Sequence, residues 1–313
     1  MKPIPAAVLS GPALPARLSD LDKPPKSLFV RGEVPRGPAV AIVGTRSPTG
    51  EAGAFARTLS MELASAGVVI LSGGARGIDT EAHEGALEAG GSTVVVAPAG
   101  FGRPYPPENE ALFERVIESG GAYVALVDDP IAATRAAFFA RNACLAALSW
   151  VVVVVQAGLR SGARNAAKEA RRLGRMLFAV PSAPWIPKGR GCLEELRLGA
   201  RSCERSADIL KALDELGAHP IPKPGIAPPR RLPMREAQSE LPWSDSERPP
   251  LEEGALAERI IHLVGQGASE VGQLADLAGL PVAAVNRILL TLRLQGVLVS
   301  AAPGHLALRK SAD

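Results

Sequence analysis

Aromatic residues are scarce, at 4% of the 313-residue chain, so a core here has to be filled by aliphatic side chains and alanine. Only three cysteines occur, Cys144, Cys192 and Cys203, and none forms a C-x-x-C pair. Their odd number and scatter speak against a disulfide scaffold and fit a reducing compartment. The four histidines, His83, His219, His262 and His305, lie far apart, and no metal-ligand spacing appears. No run reaches the ~18 apolar residues of a membrane-spanning helix, and the N-terminus has no signal-peptide core, so a cytoplasmic protein with no membrane partner is expected. Net charge is only +3, which argues against a wholesale polyelectrolyte binder but leaves room for a local basic patch. No G-x-x-x-x-G-K-[ST] loop is present, so an ATPase phosphate loop is not expected.

What is present is concentrated between Ala39 and His83. Two apolar runs, Val40–Val43 and Val68–Leu71, each end in a glycine turn that carries an arginine. The first turn contains Gly44 and Arg46. The second contains Ser72, Gly73, Gly74, Ala75, Arg76 and Gly77. Phe55, Leu59, Leu63 and Ala66 fall on one helical face between the runs, so the stretch reads as strand, helix, strand and predicts a buried parallel sheet. Ligands of such sheets bind beyond the carboxyl ends of the strands, where both turns sit. Glycine turns let backbone amides approach an anion, the helix N-termini near Gly50 and Asp79 add partial positive charge, and the arginines add forked donors. The first turn is not G-x-G-x-x-G, and no acidic residue follows the second strand to hold a ribose, so a dinucleotide is not expected. Glycines that merely tighten turns, beside arginines that merely face water, remain the plain alternative.

Alternation continues downstream. Thr80–Ala89 reads as a helix with Asp79 as its N-cap, Thr93–Pro98 as a strand, Glu110–Ser119 as a helix and Ala122–Val127 as a strand. Pro130–Leu148 reads as a long helix carrying Phe138, Arg141 and Asn142, suited respectively to stacking on a base or packing in the core, to holding a phosphate, and to bonding a base or backbone. After the strand Trp150–Val155 comes Ser161-Gly162 and a helix that puts Arg164, Lys168 and Arg171 on one face. With Arg160 before it and Arg175 after it, this is the strongest basic cluster in the chain, the footprint of a surface that tracks a phosphate backbone, or else a solvated helix face. Met176–Val180 is a last strand and Ser206–Leu216 a closing helix. Residues 1–38 read as an extended arm on the domain 39–216. Nine prolines mark 217–250 as a spacer. Residues 251–310 read as helix, helix, turn, helix and hairpin, the order of a winged helix. From residue 251 to the end, five basic residues face six acidic ones, which argues against strong nucleic-acid binding there.

The motifs Val43-Gly44-Thr45-Arg46 and Ser72-Gly73-Gly74-Ala75-Arg76-Gly77-Ile78-Asp79 through Ala82-His83 resemble those of the DNA processing protein A family (DprA, also called Smf). Tyr105-Pro106-Pro107-Glu108-Asn109, Phe138–Ser149 and Gly191–Ala200 extend the resemblance, which spans roughly residues 14–210. Departures occur at Ala125, Leu126, Phe139, Ala143 and Ser182. The resemblance implies an α/β protein with an extended Rossmann-like, doubly wound parallel sheet and a small C-terminal winged-helix domain. It also implies a homodimer through the Rossmann-like domain, single-stranded DNA as ligand, and loading of the RecA recombinase in natural transformation; the residues themselves offer no metal cluster, no Ser/His/Asp order of a known type and no cofactor fingerprint, so no catalytic residue, metal or cofactor is expected. Two alternatives stand beside it. One is a phosphoribohydrolase like the LOG proteins, whose PGGxGTxxE signature Gly158–Glu169 does not reproduce; the other is a diverged relative that acts through protein partners.

Overall fold

Runs such as Val40–Val43 and Val151–Val154 have no polar side chain to offer water, and they form strands buried on both faces. The structure, a computed structural model, describes residues 6–128, 131–220, 253–302 and 305–308. It divides into two units between Arg231 and Leu232.

In the first unit the chain runs β1 (Ala6–Ser10), β2 (Ser27–Gly32), β3 (Ala39–Val43), α1 (Gly50–Ser65), β4 (Val69–Ser72), α2 (Ile78–Glu88), β5 (Thr93–Ala97), α3 (Glu110–Glu118) and β6 (Ala122–Ala125). It continues through α4 (Arg135–Leu148), β7 (Val151–Val154), α5 (Ala163–Arg172), β8 (Met176–Ala179), α6 (Arg190–Arg197), β9 (Arg201–Ser202) and α7 (Ser206–Glu215). The strands form one sheet in the order β1-β2-β6-β5-β4-β3-β7-β8-β9. From β6 to β9 all pairs are parallel, whereas β1–β2 and β2–β6 are antiparallel. The chain builds outward from β3 to β6, then returns to β3 and adds β7 to its other side.

Alternate residues of each strand serve opposite faces. Val40, Ile42, Ile70 and Val151 pack under Leu59 and Leu63 of α1 and Ile209 and Leu213 of α7. Ala41, Val43, Leu71 and Val152 pack under Leu145 of α4 and Ala166, Ala167 and Ala170 of α5. The small residues on α5 bring that helix close to the sheet and leave its charged positions to the other side.

Three expectations change. The N-terminal arm contributes strands: Leu28 and Val30 are buried and Val30 pairs with Val124, so the sheet begins before residue 39. Helix α4 starts at Arg135, capped by Thr134, whose hydroxyl accepts from the Ala137 amide at 3.2 Å; Pro130 lies outside the described residues. Asp79 is not an N-cap. Helix α2 begins at Ile78 after Gly77, whose φ of +80° suits glycine, and Asp79 lies inside its first turn.

The second unit holds α8 (Glu253–Gly265), α9 (Val271–Ala278), α10 (Val282–Leu294), β10 (Leu298–Ala302) and β11 (His305–Leu308), the last two antiparallel. Ile260, Leu274, Val285, Leu289 and Leu292 fill its core. Gly279 ends α9 in the left-handed conformation. The proline-rich spacer lies outside the described residues from 221 onward. No helix among the described residues is long and apolar enough to cross a membrane.

Candidate nucleic-acid interface

Where β3 and β7 lie side by side, the crossovers leave in opposite directions and open a crevice beyond the strand ends. A cavity of about 670 Å³ fills it. Its walls come from the turn after β3 (Gly44, Thr45, Arg46), from α4 (Phe138, Phe139, Arg141, Asn142), and from the segment after β7 (Arg160, Ser161, Gly162, Asn165). Pro187 and Lys188, after β8, close one side, and Ala75 and Asp79 reach it from the second glycine turn. The structure therefore gathers Gly44, Arg46, Ala75, Phe138, Arg141, Asn142, Ser161 and Gly162 at one place.

The second glycine turn departs from expectation because an internal carboxylate already occupies it. Asp79 accepts from the Gly73 amide at 3.2 Å and the Ala75 amide at 3.4 Å, and the Gly44 amide also donates to it. The Thr45 amide is taken as well, donating at 2.7 Å to the Gln156 carbonyl across the crevice. Burial raises the pKa of Asp79, opposed by the neighbouring Arg141 and by these amides. Gly73 is a packing requirement: a Cβ there would lie 1.4 Å from a guanidinium nitrogen of Arg141. Gly74, at φ +73°, is packed against Phe113. Ser72 is fully buried and donates to the Ile42 carbonyl at 2.6 Å, which ties β4 to β3 and leaves nothing for a ligand. Asn109 donates to the Gly74 carbonyl and to Thr80, both at 2.9 Å, and so fixes the same turn from outside.

The cations separate into two classes. Arg164 and Arg171 do not present a free basic face. Both bind the fully buried carboxylate of Glu195, Arg164 through Nε at 2.7 Å. Nη1 of Arg164 also donates to the Leu159 carbonyl at 2.8 Å and pins the segment that lines the cavity. Arg172 pairs with Asp22 and Glu169, and Arg175 with Asp20. Lys168 is exposed but lines a different groove, beside Leu21, Ala140 and Cys144. Arg76 faces outward and meets Glu108 at 3.5 Å. By contrast, Arg46, Arg160 and Lys188 line the cavity and have no carboxylate within ion-pair distance among the described residues. Lys188 donates to the Ser47 carbonyl at 2.7 Å, bridging the loops after β8 and β3. Arg141 also lines the cavity, but it is nearly buried and donates to the Val96 carbonyl at 3.2 Å.

The aromatic side chains complete the wall. Phe138 and Tyr105 meet edge to face with centroids 5.4 Å apart. The Arg46 guanidinium lies 5.5 Å from the Phe138 centroid and 5.9 Å from that of Tyr105, within cation–π range. Such a guanidinium is held loosely enough to meet a phosphate while its neighbouring rings offer a surface to bases.

His83 is a core residue. It is fully buried, and its Nδ1 lies 2.8 Å from the Thr93 hydroxyl. That hydroxyl gives its own proton to the Ile70 carbonyl, so Nδ1–H is the donor. Burial first, and Arg141 second, lower its pKa to about 3. Cys144, Cys192 and Cys203 are buried and unbridged, and burial pushes their thiols up, Cys144 and Cys203 to about 12.

Sequence reasoning leaves Asp79, Phe139, Asn165 and Lys188 out of the site and gives Arg160 only as a flank of the basic helix, although all line the cavity. Strand order supplies the missing signal. In a doubly wound sheet every loop leaving a carboxyl end near the reversal of direction faces the crevice, and the loop after β8 is one of them.

The family model described as DNA recombination-mediator protein A matches residues 6–214. Protein Smf of Synechocystis is 31% identical over 313 residues, covering 94% of this chain and 77% of that protein. A DprA-named protein of Mycobacterium tuberculosis is 41% identical over 193 residues, but the chain spans only about half of that relative, 49% of its length. Among solved structures, DprA of Helicobacter pylori, described with a single-stranded DNA binding mode, aligns with a TM-score of 0.62 and 30% identity over 68% of this chain and 97% of that one. DprA of Streptococcus pneumoniae aligns at 0.61 and 28% over 67% and 74%. With a continuous match over the whole sheet that frames the cavity, the chain belongs to the DNA recombination-mediator protein A family.

Proposed function

We propose that this protein binds single-stranded DNA in the cavity between the ends of β3 and β7 and serves as a recombination mediator. The observation that carries the proposal is the pairing, in one crevice, of cations without an ion pair among the described residues (Arg46, Arg160, Lys188) with aromatic surface (Phe138, backed by Tyr105, and Phe139). Cations follow the phosphates, and rings stack on bases regardless of sequence, at roughly 1–3 kcal/mol per base. The Helicobacter pylori relative, whose solved structure is described by its single-stranded DNA binding mode, supports the same ligand.

Protection of incoming strands, handing of the strand to a RecA recombinase, dimerisation through the sheet-bearing unit and a cytoplasmic setting belong to the same proposal, as expectations from the family. So do the division into domains at 39–216 and 251–310 and the winged-helix character of the second unit. The protein acts in this reading by binding, with no bond made or broken.

Fluorescence anisotropy against labelled single-stranded and duplex DNA across a salt series tests it. Expected are preference for the single strand, little dependence on sequence, and a salt slope of about −0.7 per phosphate contact. No binding at low salt overturns it.

A further inference from the structure

In a chain poor in aromatics, only two aromatic side chains among the described residues are well exposed: Phe139, at 52%, and Trp185, at 82%. Both stand at the carboxyl-end rim of the sheet. Phe139 lines the cavity, at the position where the family pattern has proline. Trp185 lies in the loop after β8, two residues before Pro187 and three before Lys188, which close the cavity wall. The ordinary place for a tryptophan is the interior, where its large surface leaves water. An indole left this open, beside a binding crevice, has the apolar face and polar edge that suit an interaction surface.

The loop that carries it is held firmly. The Ile186 amide donates to the Ala183 carbonyl and the Gly189 amide to the Ile186 carbonyl, both at 3.0 Å. Gly189 packs on Ser182 so closely that a Cβ there would lie 1.8 Å from the hydroxyl oxygen. Lys188 ties the loop to Ser47, the residue after Arg46. The indole is thus displayed on a preformed support, and exposed Lys188 and Arg190 follow it in sequence with no ion pair among the described residues. A rigid aromatic surface with cations alongside suits one polymer chemistry: bases that stack while their phosphates are neutralised.

We infer that the strand-binding site continues out of the cavity onto a shelf formed by Trp185, with Phe139 at the lip, where further nucleobases stack. The inference rests on the single-stranded DNA reading above. The occupant is a nucleobase of the strand already in the cavity, chosen because the loop is continuous with the cavity wall and because the flanking side chains are cationic.

Two labelled oligothymidylates test it with the full chain, one just long enough to fill the cavity and one several nucleotides longer. Trp185→Ala is expected to weaken the longer one about ten-fold, leave the shorter unchanged, and leave the salt slope unaltered, because an indole releases no counterion. Trp185→Phe recovers part of the loss. It also abolishes a quench of tryptophan emission that the parent chain shows only with the longer strand. Phe139→Ala weakens both strands. An unchanged melting temperature certifies that the variants fold, as expected for side chains this exposed. Equal affinity of parent and Trp185→Ala for the longer strand overturns the shelf alone, as does a loss accompanied by a shallower salt slope or by loss of self-association. Failure of the parent chain to bind either strand overturns the DNA reading and the shelf with it.

Discussion

Two groups of cations in this unit meet opposite fates. Helix α5 and the residue cluster behind it hold Arg164, Arg171, Arg172 and Arg175, and every one faces a carboxylate. The cavity mouth holds Arg46, Arg160 and Lys188, and none does among the described residues. The first group is dense enough to read as a nucleic-acid surface in any linear scan. Its partners, Asp20, Asp22 and Glu195, come from other elements, so the neutralisation is invisible until the chain folds. Density of charge along a helix therefore says little about charge available to a ligand. What matters is whether the fold delivers an acid to the same spot.

That contrast can be broken most severely at Glu195. Glu195→Gln leaves Arg164 and Arg171 without their shared anion and is expected to cost about 3 kcal/mol in urea unfolding, moderated by the partial exposure of both arginines. Arg164→Ala is expected to lower stability with the DNA salt slope intact; a slope reduced as much as at Arg46 would collapse the distinction between the two groups. Acid offers a second route, by creating a buried cation with no partner. His83 titrates at 6.5 ordinarily and at about 3 in the fold, so the unfolded chain binds its proton first. Stability from this residue is complete above pH ~6.5 and drains as pH falls toward 3, by about 2 kcal/mol at pH ~5. Asp79, raised by burial, works in the opposite sense. The difference between the parent and His83→Gln in a pH series of thermal melts isolates the imidazole, and identical slopes would refute its neutral burial.

The unpaired group gives smaller energies with a sharper signature. Arg46→Ala is expected to weaken single-stranded DNA about ten-fold and to reduce the salt slope by about 0.7, with no change in melting temperature. Lys188→Ala is expected to lose a few-fold with a similar change in slope. A Lys188 variant that binds as the parent does would show that its bond to Ser47 is its whole purpose.

Much of the fold is legible in the sequence, for a physical reason. Continuous apolar runs around Val40, Ile70 and Val151 and period-3.6 patterning around Leu59 encode burial directly, and glycine turns such as Gly77 encode backbone conformations that other residues resist. The N-terminal strands β1 and β2 are less legible because prolines nearby obscure Leu28 and Val30. In the site, residues on the turn after β3 and on α4 are legible because they follow strands in sequence. Lys188 and Asp79 are not, because the first needs the strand order and the second requires knowing that a side chain turns back on its own loop. Arg164 and Arg171 mislead for the same reason in reverse: Glu195 is distant in sequence.

The carboxylate of Asp79 seated among the amides of Gly44, Gly73 and Ala75 bears on the timing of entropy loss. These turns are ordered when the protein folds, so an arriving strand meets a floor whose disorder has already been surrendered. Freedom still to be lost belongs to Arg46, Arg160 and Lys188, whose long side chains each carry about 2 kcal/mol of rotamer entropy. A ligand gripped in this way by movable arms over a fixed floor can be released one contact at a time, which suits the proposed handing-on of the strand.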